Sequence, residues 1–234
     1  HWCGCVITAA GVRFDPRRLQ ALRDMHPPVT DADLQQFTCA LNWMRSALPD
    51  FARLVGPSHD LLEAVSHSAG GRRTKTAAAK IPLSQVGWTA LNEDTFRACQ
   101  AALENAVTLA HPSPTLRLCL YTDASDAFCS SVITQVPNED LEIPPAEQRY
   151  EPLAFLSGRF TGASMRWPIV EKEAFAIITT CDRMNWLLNC PSGFTLFTDH
   201  NNLTYVFDPY RASPGLSVHT ASKLMRWALR LSAL

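Results

Sequence analysis

Two short stretches of this chain, residues 116–123 and 194–199, are built alike: an apolar, strand-like run that stops at Thr-Asp. Leu116, Leu118 and Leu120 recur with period two, as on one face of a strand. Between the two stretches, residues 170–188 return to helical spacing and open with Glu171-Lys172-Glu173. A fold that satisfies all three segments carries Asp123 and Asp199 to the tips of neighbouring strands and brings a carboxylate from the intervening helix. Oxygen donors of this kind suit a hard divalent cation such as magnesium. They point to metal-assisted phosphodiester chemistry. Taken singly, either Asp also suits a turn or a helix cap, because its side chain accepts from nearby backbone N–H groups.

Two further runs, residues 131–136 and 151–157, complete an order of three strands, a helix and a strand, an α/β layout with a mixed sheet. The first half reads differently. Residues 16–25 favour a short helix that Pro27-Pro28 ends, and Thr30 is placed to cap a second helix with Leu34, Phe37, Leu41, Met44 and Leu48 on one face. Pro49 breaks that helix, and residues 60–65 read as the last turn or two of the unit. Residues 66–80, rich in Gly, Ser, Ala and basic side chains, read as a flexible insert. A third helix is predicted over 93–109, carrying Phe96, Leu103 and Val107.

Four segments carry a resemblance: Tyr121-Thr122-Asp123-Ala124-Ser125, Pro152-Leu153-Ala154-Phe155-Leu156-Ser157, Glu171-Lys172-Glu173-Ala174-Phe175-Ala176-Ile177, and Thr198-Asp199-His200-Asn201-Asn202-Leu203-Thr204-Tyr205. In order and spacing they resemble the RNase H domain of gypsy-type LTR retrotransposon polyproteins. Upstream, Gly4-Cys5-Val6-Ile7, Gly11-Val12-Arg13-Phe14-Asp15-Pro16, Asn42-Trp43-Met44-Arg45 and Pro49-Asp50-Phe51-Ala52 resemble the end of the palm and the thumb of the same polyproteins' reverse transcriptase. The resemblance implies an RNase H-like mixed sheet with flanking helices, preceded by a mainly helical thumb-like unit. It divides the chain into 1–66 (palm end and thumb), 67–87 (linker) and 88–234 (joining helix and RNase H-like domain). The polymerase signature Tyr-x-Asp-Asp is not in the sequence. The chain is therefore expected to be a piece of a longer polyprotein whose polymerase palm and fingers, and an integrase, lie elsewhere.

Residues two apart on a helix point roughly 200° apart, so Glu171 and Glu173 cannot both face the strand tips, and spacing alone does not choose between them. The resemblance chooses Glu173. It implies that Asp123, Glu173 and Asp199 are catalytic and hold magnesium or manganese, and that the RNA strand of an RNA–DNA hybrid is hydrolysed. Glu171 is left as a first-turn carboxylate favoured by the helix dipole. His200, the next residue after Asp199, should point to the opposite face and is read as structural. Two departures stand against full activity. The family's glycines after the first Asp are replaced by Phe128-Cys129-Ser130-Ser131, and its fourth acidic motif falls beyond Leu234. A non-catalytic nucleic-acid-binding fragment or a degenerate transposon remnant is the alternative.

At 234 residues and 47% hydrophobic content the chain can bury one large or two small cores. It contains no long apolar run and no charged-then-apolar leader, which argues against a membrane span and a signal peptide. Its eight cysteines form no C-x-x-C pair and read as free thiols, which suits a reducing intracellular compartment, cytoplasmic or nuclear. The net charge of −1 is low for a phosphate-gripping domain, so hybrid binding is expected to be weak and salt-sensitive. Positive charge is local: Arg17, Arg18 and Arg23; Arg72, Arg73, Lys75 and Lys80; and Lys223, Arg226 and Arg230 at helical spacing on one face. Of these, Arg72, Arg73, Lys75, Lys223, Arg226 and Arg230 are the candidate nucleic-acid contacts, set against the plain reading of a solvated surface.

Overall fold

In the computed structural model, residues 1–68, 81–200, 203 and 218–232 are described, and the chain divides into two units, His1–Leu109 and Ala110–Leu234. Arg72, Arg73, Lys75 and Lys80 lie outside the described residues.

The first unit opens with a hairpin, β1 (Cys5–Thr8) antiparallel to β2 (Gly11–Phe14). Gly11 sits at φ +140°, where an added Cβ would fall 2.3 Å from the Leu109 carbonyl oxygen, so only glycine fits. Asp15 then caps α1 (Pro16–Arg23) by accepting from the Arg17 N–H at 2.9 Å, with Pro16 at the first position, where no N–H is needed. Thr30 caps α2 (Asp31–Trp43) in a reciprocal box with Asp33. A long helix, α3 (Phe51–Ser68), runs straight through Pro57. The sequence shows only residues 60–65 of it, as a last turn or two. Burial of Phe51, Val55, Leu61 and Val65 offsets the one hydrogen bond that the proline removes.

The joining helix α4 (Ala90–Glu104) packs in this first core: the Phe96 ring meets that of Phe37 at a tilt, centres 4.5 Å apart, beside Leu41, Phe51 and Leu103. Residues 81–87, grouped above with the linker, are also held here, since Leu83 is buried with Leu34 and Leu61.

The second unit is a four-stranded mixed sheet in the order β5-β4-β3-β6. Its strands are β3 (Arg117–Ala124), β4 (Phe128–Val136), β5 (Glu151–Arg159) and β6 (Phe194–Phe197). The first three form an antiparallel meander; β6 pairs parallel to β3 after the crossover helix α5 (Ile169–Arg183). On α5, Val170, Ala174, Ile177 and Cys181 form one buried stripe against Leu118, Leu120 and Ile133 of the sheet. Helix α6 (Val218–Leu231) adds Leu224 to that core.

Phe128 does not open the β3–β4 hairpin where the family carries glycine. The ladder runs from Arg117↔Val136 to Ala124↔Cys129, and the Ser125 N–H closes the turn on the Phe128 carbonyl at 2.8 Å. Room is instead made one strand over, where an added Cβ on Gly158 would stand 3.3 Å from the Cys129 Sγ. All eight cysteines are free, and among the described residues no helix is long and apolar enough to cross a membrane.

Candidate functional site

Parallel register sets the two aspartates. Tyr121 of β3 lies beside Phe197 of β6, their rings stacked at 4.7 Å and 9°. Two residues further along each strand direction come Asp123 and Asp199, both exposed. The repeated apolar-Thr-Asp text thus becomes two carboxylates at the same end of adjacent strands.

The third carboxylate comes from the first turn of α5, which has no side-chain cap at Pro168. Its three charged residues, Glu171, Lys172 and Glu173, are each only 3% exposed. Charges this deep need partners, and each finds a different one. Glu173 Oε1 accepts from the Ala124 N–H at 3.0 Å, one residue beyond Asp123. Lys172 Nζ donates to the Asp126 carbonyl at 2.8 Å and lies 5.5 Å from the Phe160 ring centre, tying the helix to the β3–β4 turn. Glu171 Oε2 accepts from Lys223 Nζ of α6 at 2.7 Å.

The two glutamates titrate in opposite directions. Burial, opposed by the Ala124 N–H and reinforced by the negative charges of Asp123 and Asp199, pushes Glu173 up to about 7. Burial would raise Glu171 as well. Its hydrogen bonds from Lys223 and Thr220, with the charges of Lys223 and His219, outweigh that and hold it below the usual carboxylate range.

Glu173 rather than Glu171 therefore shares its surroundings with the two strand-tip aspartates, and its Oε2 is buried without a hydrogen-bond partner. As the side chains stand, no set of three His, Cys, Asp or Glu residues among the described residues is close enough to hold a metal ion. The donor chemistry nonetheless fits a hard cation. All three groups are carboxylates, one carries an unsatisfied oxygen, and the mutual repulsion that helps to raise Glu173 is what a cation relieves. His200, half-buried, donates its backbone N–H to Thr198 Oγ1 at 3.2 Å.

The basic stripe on α6 is partly tied down rather than uniformly solvated. Lys223 is not freely solvated: its side chain is 12% exposed, 3.1 Å from the Trp167 ring centre and 5.0 Å from that of Trp227, and it is paired with Glu171. Arg230 reaches Asp182 of α5 at 2.7 Å. Arg226 is exposed and bonds only weakly to Ser222 of its own helix, at 3.4 Å. Helical spacing correctly puts the three on one side, but that side flanks α5, whose acids Glu171 and Asp182 take two of them. No signal in a single sequence joins residues 52 positions apart.

A family model described as the RNase H-like domain found in reverse transcriptase matches residues 113–234, more than half of the chain. The chain belongs to that family. Over 99% of its length it is 25% identical to a retrovirus-related Pol polyprotein from the transposon opus of Drosophila melanogaster, covering 21% of that polyprotein. Over 75% of its length it is 24% identical to the transposon Tf2-3 polyprotein of Schizosaccharomyces pombe, covering 11% of it. The chain thus spans about a fifth or less of these relatives. Among solved structures it is similar to the foamy viral protease-reverse transcriptase in complex with dsDNA (TM-score 0.68, 16% identity, 100% of this chain and 42% of that one). The same viral protein in complex with an RNA/DNA hybrid matches with TM-score 0.65 at 16% identity, over 98% of this chain and 27% of that one. At such identities the likeness speaks for the fold: an RNase H-like α/β sheet with flanking helices.

Proposed function

We propose that this chain contributes a divalent-metal-dependent ribonuclease that cuts the RNA strand of RNA–DNA hybrids, as part of a retrotransposon reverse transcriptase polyprotein. The observation that carries the reading is Glu173, a buried carboxylate with one oxygen unpartnered, set beside the end of the strand that carries Asp123 and next to the parallel strand that leads to Asp199. Asp123, Glu173 and Asp199 are the residues that would hold the metal; when bound, such ions activate water and stabilise the departing oxygen in phosphodiester hydrolysis. The chain's own part is positional. The Ala124 N–H fixes one oxygen of Glu173 beside Asp123, and the β3–β6 register fixes the spacing of the two aspartates. Selectivity for RNA would come from contacts to the 2′-hydroxyl across the shallow minor groove. The solved relatives bound to dsDNA and to an RNA/DNA hybrid support a nucleic-acid partner.

The test is cleavage of a labelled RNA–DNA hybrid with magnesium or manganese, by this chain and by one extended past Leu234. We expect feeble cleavage by the first and stronger cleavage by the second, abolished by Asp123→Asn, which keeps shape and loses charge. An extended chain that folds and binds hybrid yet never cuts it would favour the non-catalytic binding reading.

A further inference from the structure

We propose that Lys223 is a positioning residue for Glu173, acting through Glu171 across the first turn of α5. The inference rests on the reading of Asp123, Glu173 and Asp199 as the site.

The first turn of α5 is a place where position must be supplied from outside. Pro168 gives it no side-chain cap, so its rotation about the helix axis is set by what its own side chains grip. Glu173 grips β3 through the Ala124 N–H, on one side of the turn. Glu171, roughly 200° around the helix, grips α6 through Lys223, on the other. The two ties oppose each other across the axis. Together with Lys172 on the Asp126 carbonyl they fix both the rotation and the advance of the helix toward the strand tips.

Lys223 is well suited to be the fixed end of this tie. Trp167 stands immediately before the helix and Trp227 one turn along α6, and the ammonium lies between their rings and the Glu171 carboxylate. It cannot swing away to another partner without leaving both faces. Phe175 connects the two tryptophans, at 5.4 Å from Trp167 and 6.1 Å from Trp227, and it lies on α5 itself. Without Lys223, the buried Glu171 carboxylate loses its ammonium partner and keeps only the Thr220 hydroxyl and the charge of His219, so the turn must shift to hydrate it. Motion at Glu171 is motion at Glu173, two residues along the same rigid turn. Thr220 of α6 also hydrogen-bonds Glu171 and shares this end of the joint, whereas the tie from Arg230 to Asp182 is exposed and about three turns down α5, so it does not set the site end.

The experiment follows the Ala124 amide by hydrogen exchange in the metal-free full chain, and separately measures Mn2+ binding by calorimetry. In Lys223→Met the Ala124 amide should exchange about tenfold faster relative to amides in the middle of the β3–β4 ladder, which report the overall loss of stability shared by the whole domain. Lys223→Arg should restore the Ala124 protection, and Arg230→Ala should leave it unchanged. Mn2+ affinity should fall about tenfold or more in Lys223→Met, as for other residues that orient a metal ligand. If Lys223→Met does not fold, Glu171→Gln, which keeps the lysine and removes the attraction, must speed Ala124 exchange in the same way. Unchanged Ala124 protection in folded Lys223→Met or Glu171→Gln overturns the proposal, as does equal loosening by Arg230→Ala. Altered Ala124 exchange in a protein that binds no Mn2+ even as wild type would uphold the positioning role and sink the metal site.

Discussion

The two sides of the first turn of α5 carry the same residue type at the same depth, yet they hold opposite states. Glu171 and Glu173 are each 3% exposed. The side facing α6 meets the Lys223 ammonium, the Thr220 hydroxyl and a nearby histidine, which together outweigh burial, so its carboxyl keeps its charge. The side facing the strand tips meets one backbone N–H and two more carboxylates, so burial prevails and its carboxyl holds its proton to about 7. Burial is common to both; the partner decides. One side is finished as a structural joint, and the other is left electrostatically incomplete, as a site awaiting positive charge is.

The finished side should be the more costly to break. Lys223→Met leaves a buried carboxylate without its cation and should destabilise the domain by about 3–5 kcal/mol, read from denaturant unfolding. Removing both charges in Glu171→Gln/Lys223→Met should recover much of that loss, since a neutral pair leaves nothing uncompensated. If the double variant were no better than the single one, the packing of the lysine stem between the tryptophans, and not the ion pair, would be the joint.

The incomplete side should cost stability by staying intact. Because the folded pKa of Glu173 lies above its ordinary value of 4.5, the folded state binds more protons than the unfolded state between about pH 4.5 and 7. Its contribution is therefore fully favourable below that window and is lost as pH rises through about 7. Glu173→Gln should flatten this decline. At pH 8 it should stabilise the metal-free protein by on the order of 3 kcal/mol, since each tenfold change in proton affinity is worth about 1.36 kcal/mol. Lys223→Met should not flatten it, and parallel pH profiles for Glu173→Gln and wild type would remove the asymmetry.

Divalent ions should repair the same side and leave the other alone. At about a hundredfold excess over Kd, Mg2+ or Mn2+ should add about 2.7 kcal/mol to wild type at pH 8. Asp123→Asn should lose that increment, because the amide no longer offers the charge that draws the cation in. Equal stabilisation of wild type and Asp123→Asn would mean that the ion binds elsewhere.

The strand tips were legible in the sequence because their signal is local: period-two leucines and a repeated Thr-Asp ending. The choice of Glu173 was not legible from spacing and came from a resemblance. Helix α3 was legible only over residues 60–65, because its first half is held by apolar partners distant in sequence, Phe51 and Val55 packing with Phe37, Leu41 and Phe96. The surroundings of Lys223 are hidden in the sequence for the same reason. A lysine at helical spacing with two arginines looks like a solvated face, and only the fold brings Glu171, Trp167 and Trp227 around it. Charge without a visible partner is ambiguous in sequence, whereas apolar periodicity is not.

The smallest effect should come from the member of the basic stripe that neither acid of α5 claims. Arg226→Ala removes an exposed side chain whose one described bond is a 3.4 Å contact within its own helix, so stability should change by about 0.5 kcal/mol or less. If Arg226 meets a phosphate when hybrid binds, the same change should weaken binding uniformly across sequences and lower the slope of log K against log salt by about one. Arg230→Ala, by contrast, should cost a little stability through Asp182 and leave the slope unchanged. Salt titrations of the two variants side by side separate a charge that faces a ligand from one already held by the fold. An unchanged slope for Arg226→Ala would confine the whole stripe to the structural side of the comparison.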